Sequence, residues 1–270
     1  MTTDPAGVIL IGWPQLLLAT SLVLIVGILS WRLRLGVEKD LAIATVRTFV
    51  QLLLLGFVLR WVFGVDSAWL VLGIILVMIA AAARSIVSRA PDAPRGILGS
   101  SFLSMVITGF SVTFIVTGLI IGVEPWYAPR YVIPIAGMVL GNSMNGIALA
   151  LERTYSDMDS RAGEMLALTA LGASPWEAGG NSARAGIRAG MIPTINSMAT
   201  VGIVFIPGMM TGQIIAGADP VAATGYQIVV MLMVSAATGV GSVLSVLLSF
   251  RKRFTADGVY LEKGFRSDAR

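Results

Sequence analysis

The sequence predicts an all-α fold: a polytopic bundle of about seven transmembrane helices, with the N-terminus outside and the C-terminus cytoplasmic. Three observations predict it. Hydrophobic residues make up 56% of the chain and charged ones only 13%, with a mean hydropathy of +0.85, a balance that one water-soluble core of 270 residues cannot hide. The apolar residues gather in runs long enough to cross a hydrocarbon layer, which takes about 20 helical residues. The basic residues fall between these runs, nearly all on alternate sides.

The runs are approximately 8–29, 41–59, 68–83, 97–121, 132–151, 195–217 and 225–250. The first has Asp4 and no basic residue on its N-terminal side, the wrong start for a secretion signal, so it is expected to be a mature helix. The loops after the first, third, fifth and seventh runs hold Arg32, Arg34 and Lys39; Arg84, Arg89 and Arg95; Arg153, Arg161, Arg184 and Arg188; and the basic tail from Arg251 to Arg270. Only Arg60 and Arg130 fall on the opposite side, and Arg47 lies within a run. The positive-inside rule places the richer loops in the cytoplasm, as an odd number of spans requires. Trp61, Trp69, Trp126 and Tyr127 mark the outer boundary and Trp31 an inner one, where amphipathic rings settle. The whole chain, 1–270, is expected to be one transmembrane domain in the plasma (inner) membrane. The tail after Phe250 is too short to bury a core of its own.

Outer loops are short, but the stretch 152–194 is of mixed polarity and far longer than ordinary helix–helix connections. In it, Met165, Leu168 and Leu171 recur at three-residue spacing in a short helix that stops at Gly172. A second helix starts at once: Ser174 is an N-cap, Pro175 takes the first helical position and Glu177 completes a capping box. Leu171, Gly172, Ala173, Ser174, Pro175, Trp176, Glu177 and Ala178 therefore form a sharp corner carrying an indole, with Arg184 and Arg188 one turn apart beyond it. The corner reads two ways, as a connector anchored on the membrane by Trp176 or as an element that plugs into a partner protein.

Polar groups inside a membrane are costly and need a partner or an aqueous cavity. In the fifth run Met138, Asn142 and Asn145 share one helix face, and Glu152 continues that stripe. These are candidates for a substrate pathway, since two amides and a carboxylate offer oxygen ligands to a hard cation; the alternative is hydrogen bonding and small-residue packing between helices. The sixth run is interrupted by Pro207-Gly208 and then carries Met209, Met210 and Gln213. Broken helices frequently mark transporter binding sites, whereas methionines alone read as gap fillers. Arg47 and Gln51 lie on one face of the second run, where arginine either snorkels to the interface or forms an internal ion pair with Glu152. Ser100, Ser104, Thr108 and Ser111, and in the last run Ser235, Thr238, Ser242 and Ser245, read as close-packing seams.

Histidine and cysteine are absent, which removes the usual zinc, copper and redox ligands and leaves an intramembrane enzyme poorly supported. No Gly-x-x-x-x-Gly-Lys-Ser/Thr loop is present, and Lys39, Lys252 and Lys263 are the only lysines, so this chain carries no nucleotide site. The basic residues form no single patch, and nucleic acid is not expected as a partner.

The stretch 164–178 resembles the coupling loop of ABC transporter permeases. With Gly-Met-Val-Leu-Gly-Asn-Ser-Met-Asn at 137–145, Met-Ile-Pro-Thr at 191–194, Ile-Pro-Gly-Met-Met-Thr-Gly-Gln at 206–213, and Arg47 with Gln51, nearly the whole chain resembles the FetB-type permease family. That resemblance implies the membrane half of an ABC exporter connected with iron, with plant relatives connected with aluminium tolerance. It implies a separate ATPase subunit holding ATP and magnesium, two permease copies per transporter, and a metal-ion substrate. The alternative is a self-sufficient carrier or channel driven by an ion gradient, in which Glu152, Asn142 and Arg47 form the relay.

Overall fold

The computed structural model describes residues 11–65, 67–94 and 96–262; Asp4, Arg95, Lys263, Arg266, Arg270 and the start of the first predicted span lie outside them. The described residues form nine α-helices: α1 (Trp13–Leu33), α2 (Glu38–Val62), α3 (Ala68–Arg89), α4 (Ile97–Phe114), α5 (Pro129–Ser160), α6 (Ala162–Ala170), α7 (Pro175–Thr200), α8 (Gly208–Ile215) and α9 (Pro220–Phe250). A π-helical stretch, Ile115–Ile120, extends α4. The fold is all-α, as expected.

The chain divides into two compact units, 1–66 with 211–220, and 67–210 with 221–270. In the first, α1 and α2 pack as a helical hairpin. Arg34 ends α1 in the left-handed region, and its N–H bonds Trp31 O. Leu17, Leu24, Leu52 and Phe57 are all more than half exposed. In a bilayer such side chains meet lipid, so their exposure costs nothing.

The second unit is built around α5, which packs on α3, α4 and α7. Its closest approach is to α7, and small residues allow it. A methyl group at Gly186 would overlap Thr154 Oγ1 and lie 2.5 Å from Ala150 O, and one at Gly190 would overlap Gly146 O. Gly146 in turn faces Thr238 of α9. The serine stripes are seams, as predicted: Ser104 Oγ donates to Gly241 O at 2.9 Å and Ser100 Oγ to Leu248 O at 3.3 Å, tying α4 to α9. Ser111 departs from the stripe and is exposed. Val116, Ile135, Val139, Val230, Met233, Val234 and Ala237 form an apolar core, with Met138 and Met209 packed against it.

Among the described residues six helices are long and apolar enough to span a membrane: α1, α2, α3, α4 with its π-helical extension, α5 and α9. That is close to the seven expected, and the difference falls at 195–217. There α7 ends at Thr200, Gly202 takes φ +79° and donates to Phe205 O at 3.0 Å, and only eight residues beyond Pro207 form α8. Proline withholds a backbone donor and glycine weakens the helix, so the run is apolar but not one helix.

Candidate functional site

The corner between α6 and α7 is built as its sequence specifies. Gly172 adopts φ +90°. Its N–H donates to Thr169 O at 3.1 Å and the Ala173 N–H to Leu168 O at 3.0 Å, the paired bonds of a Schellman stop, which needs a residue without Cβ strain at that position. Ser174 then caps α7. Its N–H donates to Glu177 Oε2 at 2.8 Å and its hydroxyl to the same oxygen at 2.6 Å, while Ser174 Oγ accepts the Glu177 N–H at 3.4 Å. The bonds from the Ser174 side chain and backbone hold the Glu177 carboxyl below the usual range.

Trp176 sits against this corner, its ring 5.5 Å from that of Phe250 and beneath the Arg184 guanidinium at 5.3 Å. Asn181 Oδ1 accepts from Arg184 at 3.0 Å. The indole is therefore packed on one face and 41% exposed on the other, while Leu171 at the tip is 85% exposed. The corner thus presents an exposed apolar side chain on a backbone capped on both sides of the turn.

The tail after α9 braces the corner. Arg253, buried, donates to Asp159 Oδ2 at 2.9 Å and to Asp92 O, and Tyr260 donates to Asp159 Oδ1 at 3.0 Å. Burial first, and then the bond to Asp159, push the Tyr260 hydroxyl upward, so it remains a donor. Phe254 packs between Phe250, tilted against it, and Tyr260, edge-on, and Gly258 passes close to Pro175.

A cavity of about 440 Å³ opens between α5, α7, the start of α8, and α9. Its wall includes Met138, Asn142, Asn145, Thr194, Ser197, Met209 and Gln227. Asn142 Nδ2 donates to Met138 O at 2.8 Å, which leaves its oxygen available. Arg89, at the end of α3, donates to Asn145 Oδ1. Gln227, 6% exposed, holds its Oε1 in the buried wall with no hydrogen-bond partner among the described residues.

A model described as "Uncharacterised protein family (UPF0014)" matches residues 13–254. The chain belongs to the UPF0014 family. Several similar proteins bear more specific names. "Probable iron export permease protein FetB" of Escherichia coli is 35% identical over 90% of this chain and 92% of its own length. "UPF0014 membrane protein STAR2" of Oryza sativa is 36% identical over 91% and 85%. "Protein ALUMINUM SENSITIVE 3" of Arabidopsis thaliana is 35% identical over 88% and 85%. No solved structure matches the chain. With six spans and relatives named as membrane proteins, this UPF0014 chain is a multi-pass membrane protein.

Of the residues singled out from the UPF0014 sequence, Asn142, Asn145 and Met209 come together on one cavity, and Met210 lines a neighbouring cavity of about 500 Å³. Glu152 is half-buried further along α5 and is not part of the wall. Arg47 and Gln51 are exposed on α2, and Gln213 lies in α8 with its Oε1 buried and without a hydrogen-bond partner among the described residues. Sequence reasoning missed Gln227, Arg89 and the Arg253–Asp159–Tyr260 brace. The first stands in an apolar run where one polar residue was a usable signal; the others depend on contacts made across the fold.

Proposed function

We propose that this chain is the membrane-spanning permease of an ABC transporter that exports iron or another metal ion, driven by ATP hydrolysed on a separate subunit that also holds the magnesium. The observation that carries this reading is the α6–α7 corner, a Schellman stop joined to a capping box with Leu171 projecting. Such a corner suits force transmission, because capped ends resist fraying and let a push on the tip move α7 as a rod.

The push reaches the cavity through close contact. The α7 seam residues Gly186 and Gly190 lie against α5 with no side chain between the backbones, and α5 carries Asn142 and Asn145 in the cavity wall. Small shifts in such packed helices are passed on, because the interface cannot compress. In this reading the segment 152–194 faces the cytoplasm, the N-terminus lies outside, and two copies with two ATPase subunits complete the pathway in the plasma membrane. The name of the Escherichia coli relative supports iron as cargo.

The test is co-purification with a candidate ATPase and transport in vesicles. Trp176→Ala and Ser174→Pro are expected to release the ATPase and stop ATP-dependent transport. Full transport by the purified chain in vesicles without ATP would instead establish a self-sufficient carrier.

A further inference from the structure

We infer that the α5–α7–α9 cavity takes its metal as a neutral or anionic complex already wrapped in oxygen ligands, with Gln227 Oε1 accepting a hydrogen from the complex's outer shell. This rests on the metal-permease reading and specifies the form in which the metal travels. The residues lining the cavity include no Asp, Glu, His or Cys, and among the described residues no group of three or more such side chains could hold a metal ion. A bare divalent or trivalent ion entering this wall would exchange its water for uncharged amides, hydroxyls and thioethers, without the carboxylates that hard ions require when desolvated. The charged group joined to the wall by a hydrogen bond is the Arg89 guanidinium, on Asn145, and its sign disfavours a free cation.

Size points the same way. About 440 Å³ falls in the range of small-molecule sites, roughly 300–1,000 Å³, and far exceeds a bare ion. Gln227 supplies the independent mark of a ligand. It is 94% buried, since 6% of it is exposed, and it lines the cavity with an oxygen that no described residue satisfies. A buried acceptor without a donor is destabilising and is satisfied when a ligand brings an O–H or N–H. Metal-bound water or a chelator hydroxyl provides that hydrogen; an amide oxygen also coordinates a cation directly, so the lack of a lining carboxylate and the Arg89 charge are what set the complex apart from a bare ion.

The experiment measures equilibrium binding to the purified full chain in nanodiscs, with ferric citrate, metal-free citrate and free Mn²⁺ as probes. Ferric citrate is expected to bind at least about tenfold more tightly than either of the others. Gln227→Leu should weaken ferric citrate about tenfold, the loss of one buried hydrogen bond, without lowering Tm, because it removes an unpaired polar atom. Gln227→Glu should shift preference toward free Mn²⁺. Tighter binding of free Mn²⁺ by the wild type, or unchanged ferric citrate binding by Gln227→Leu, overturns the inference and leaves a metal permease standing. Binding of neither metal form overturns the metal reading as well, while ATPase association tests the coupling separately.

Discussion

Arg253 and Asp159 meet at 2.9 Å across 94 residues of sequence, with the guanidinium side chain only 5% exposed. The pair ties the tail to the end of α5, and the same guanidinium holds the carbonyl of Asp92 after α3. Removing one partner leaves the other charge buried. Asp159→Ala is therefore expected to destabilise the chain by about 3–5 kcal/mol, read as a fall in Tm, and to cost more than Arg253→Met, which keeps the packing stem and removes the charge.

The capping box should titrate. Glu177 has a lowered folded-state pKa, caused first by the Ser174 hydroxyl and then by the Ser174 N–H. Its contribution is thus complete above the ordinary carboxylate range and is lost as pH falls through the lowered value. Hydrogen-exchange protection in the first turn of α7, taken relative to the intrinsic rate at each pH, is expected to fall on acidification through that window, and Glu177→Gln should remove this pH dependence.

Glycines of the two helices beside the corner should respond oppositely to alanine. Gly186→Ala drives a methyl into Thr154 and the Ala150 carbonyl and should cost about 1–3 kcal/mol or more, since backbone cannot give way. Gly163, in α6, has nothing within 4 Å of an added Cβ. Gly163→Ala should stabilise by up to about 1 kcal/mol through helix propensity; thermal melts of both variants check the contrast.

Leu171 separates docking from folding. Because it is 85% exposed, Leu171→Asp should leave Tm within about 0.5 kcal/mol equivalent of wild type. Its association with the ATPase should weaken at least about tenfold, as at a binding hot spot. Retained association, measured by pull-down at defined concentrations, would remove the corner from the interface.

Asn142 reports on the cavity. Its amide lines the cavity and donates to its own helix at Met138 O. Asn142→Leu should abolish substrate-stimulated ATP hydrolysis in liposomes while the complex still assembles. Unchanged stimulation would remove this face of α5 from the pathway.

Local chemistry is legible in the amino-acid order. Gly172, Ser174, Pro175 and Glu177 act within a few bonds of one another, so their spacing alone forecasts the corner and both of its caps. Apolar run length forecasts the six spanning helices for the same reason. It parts from the fold at 195–217, because hydropathy counts apolar atoms without asking whether Gly202, Pro207 and Gly208 let one helix continue. The Asn142–Asn145 face is legible as a face, but its cavity is not.

The sequence by itself determined that this chain lives in a membrane as helices with a capped corner, since burial of apolar runs and satisfaction of backbone polar groups depend on nearest neighbours in the chain. Tertiary structure alone decided that Arg89 engages Asn145, that Arg253 reaches Asp159, and that Gln227 holds an unpaired oxygen in a cavity wall. Each of these joins or surrounds residues far apart in sequence. Only the packing of α5 against α3, α7 and α9 sets which polar atoms find one another and which are left unpaired.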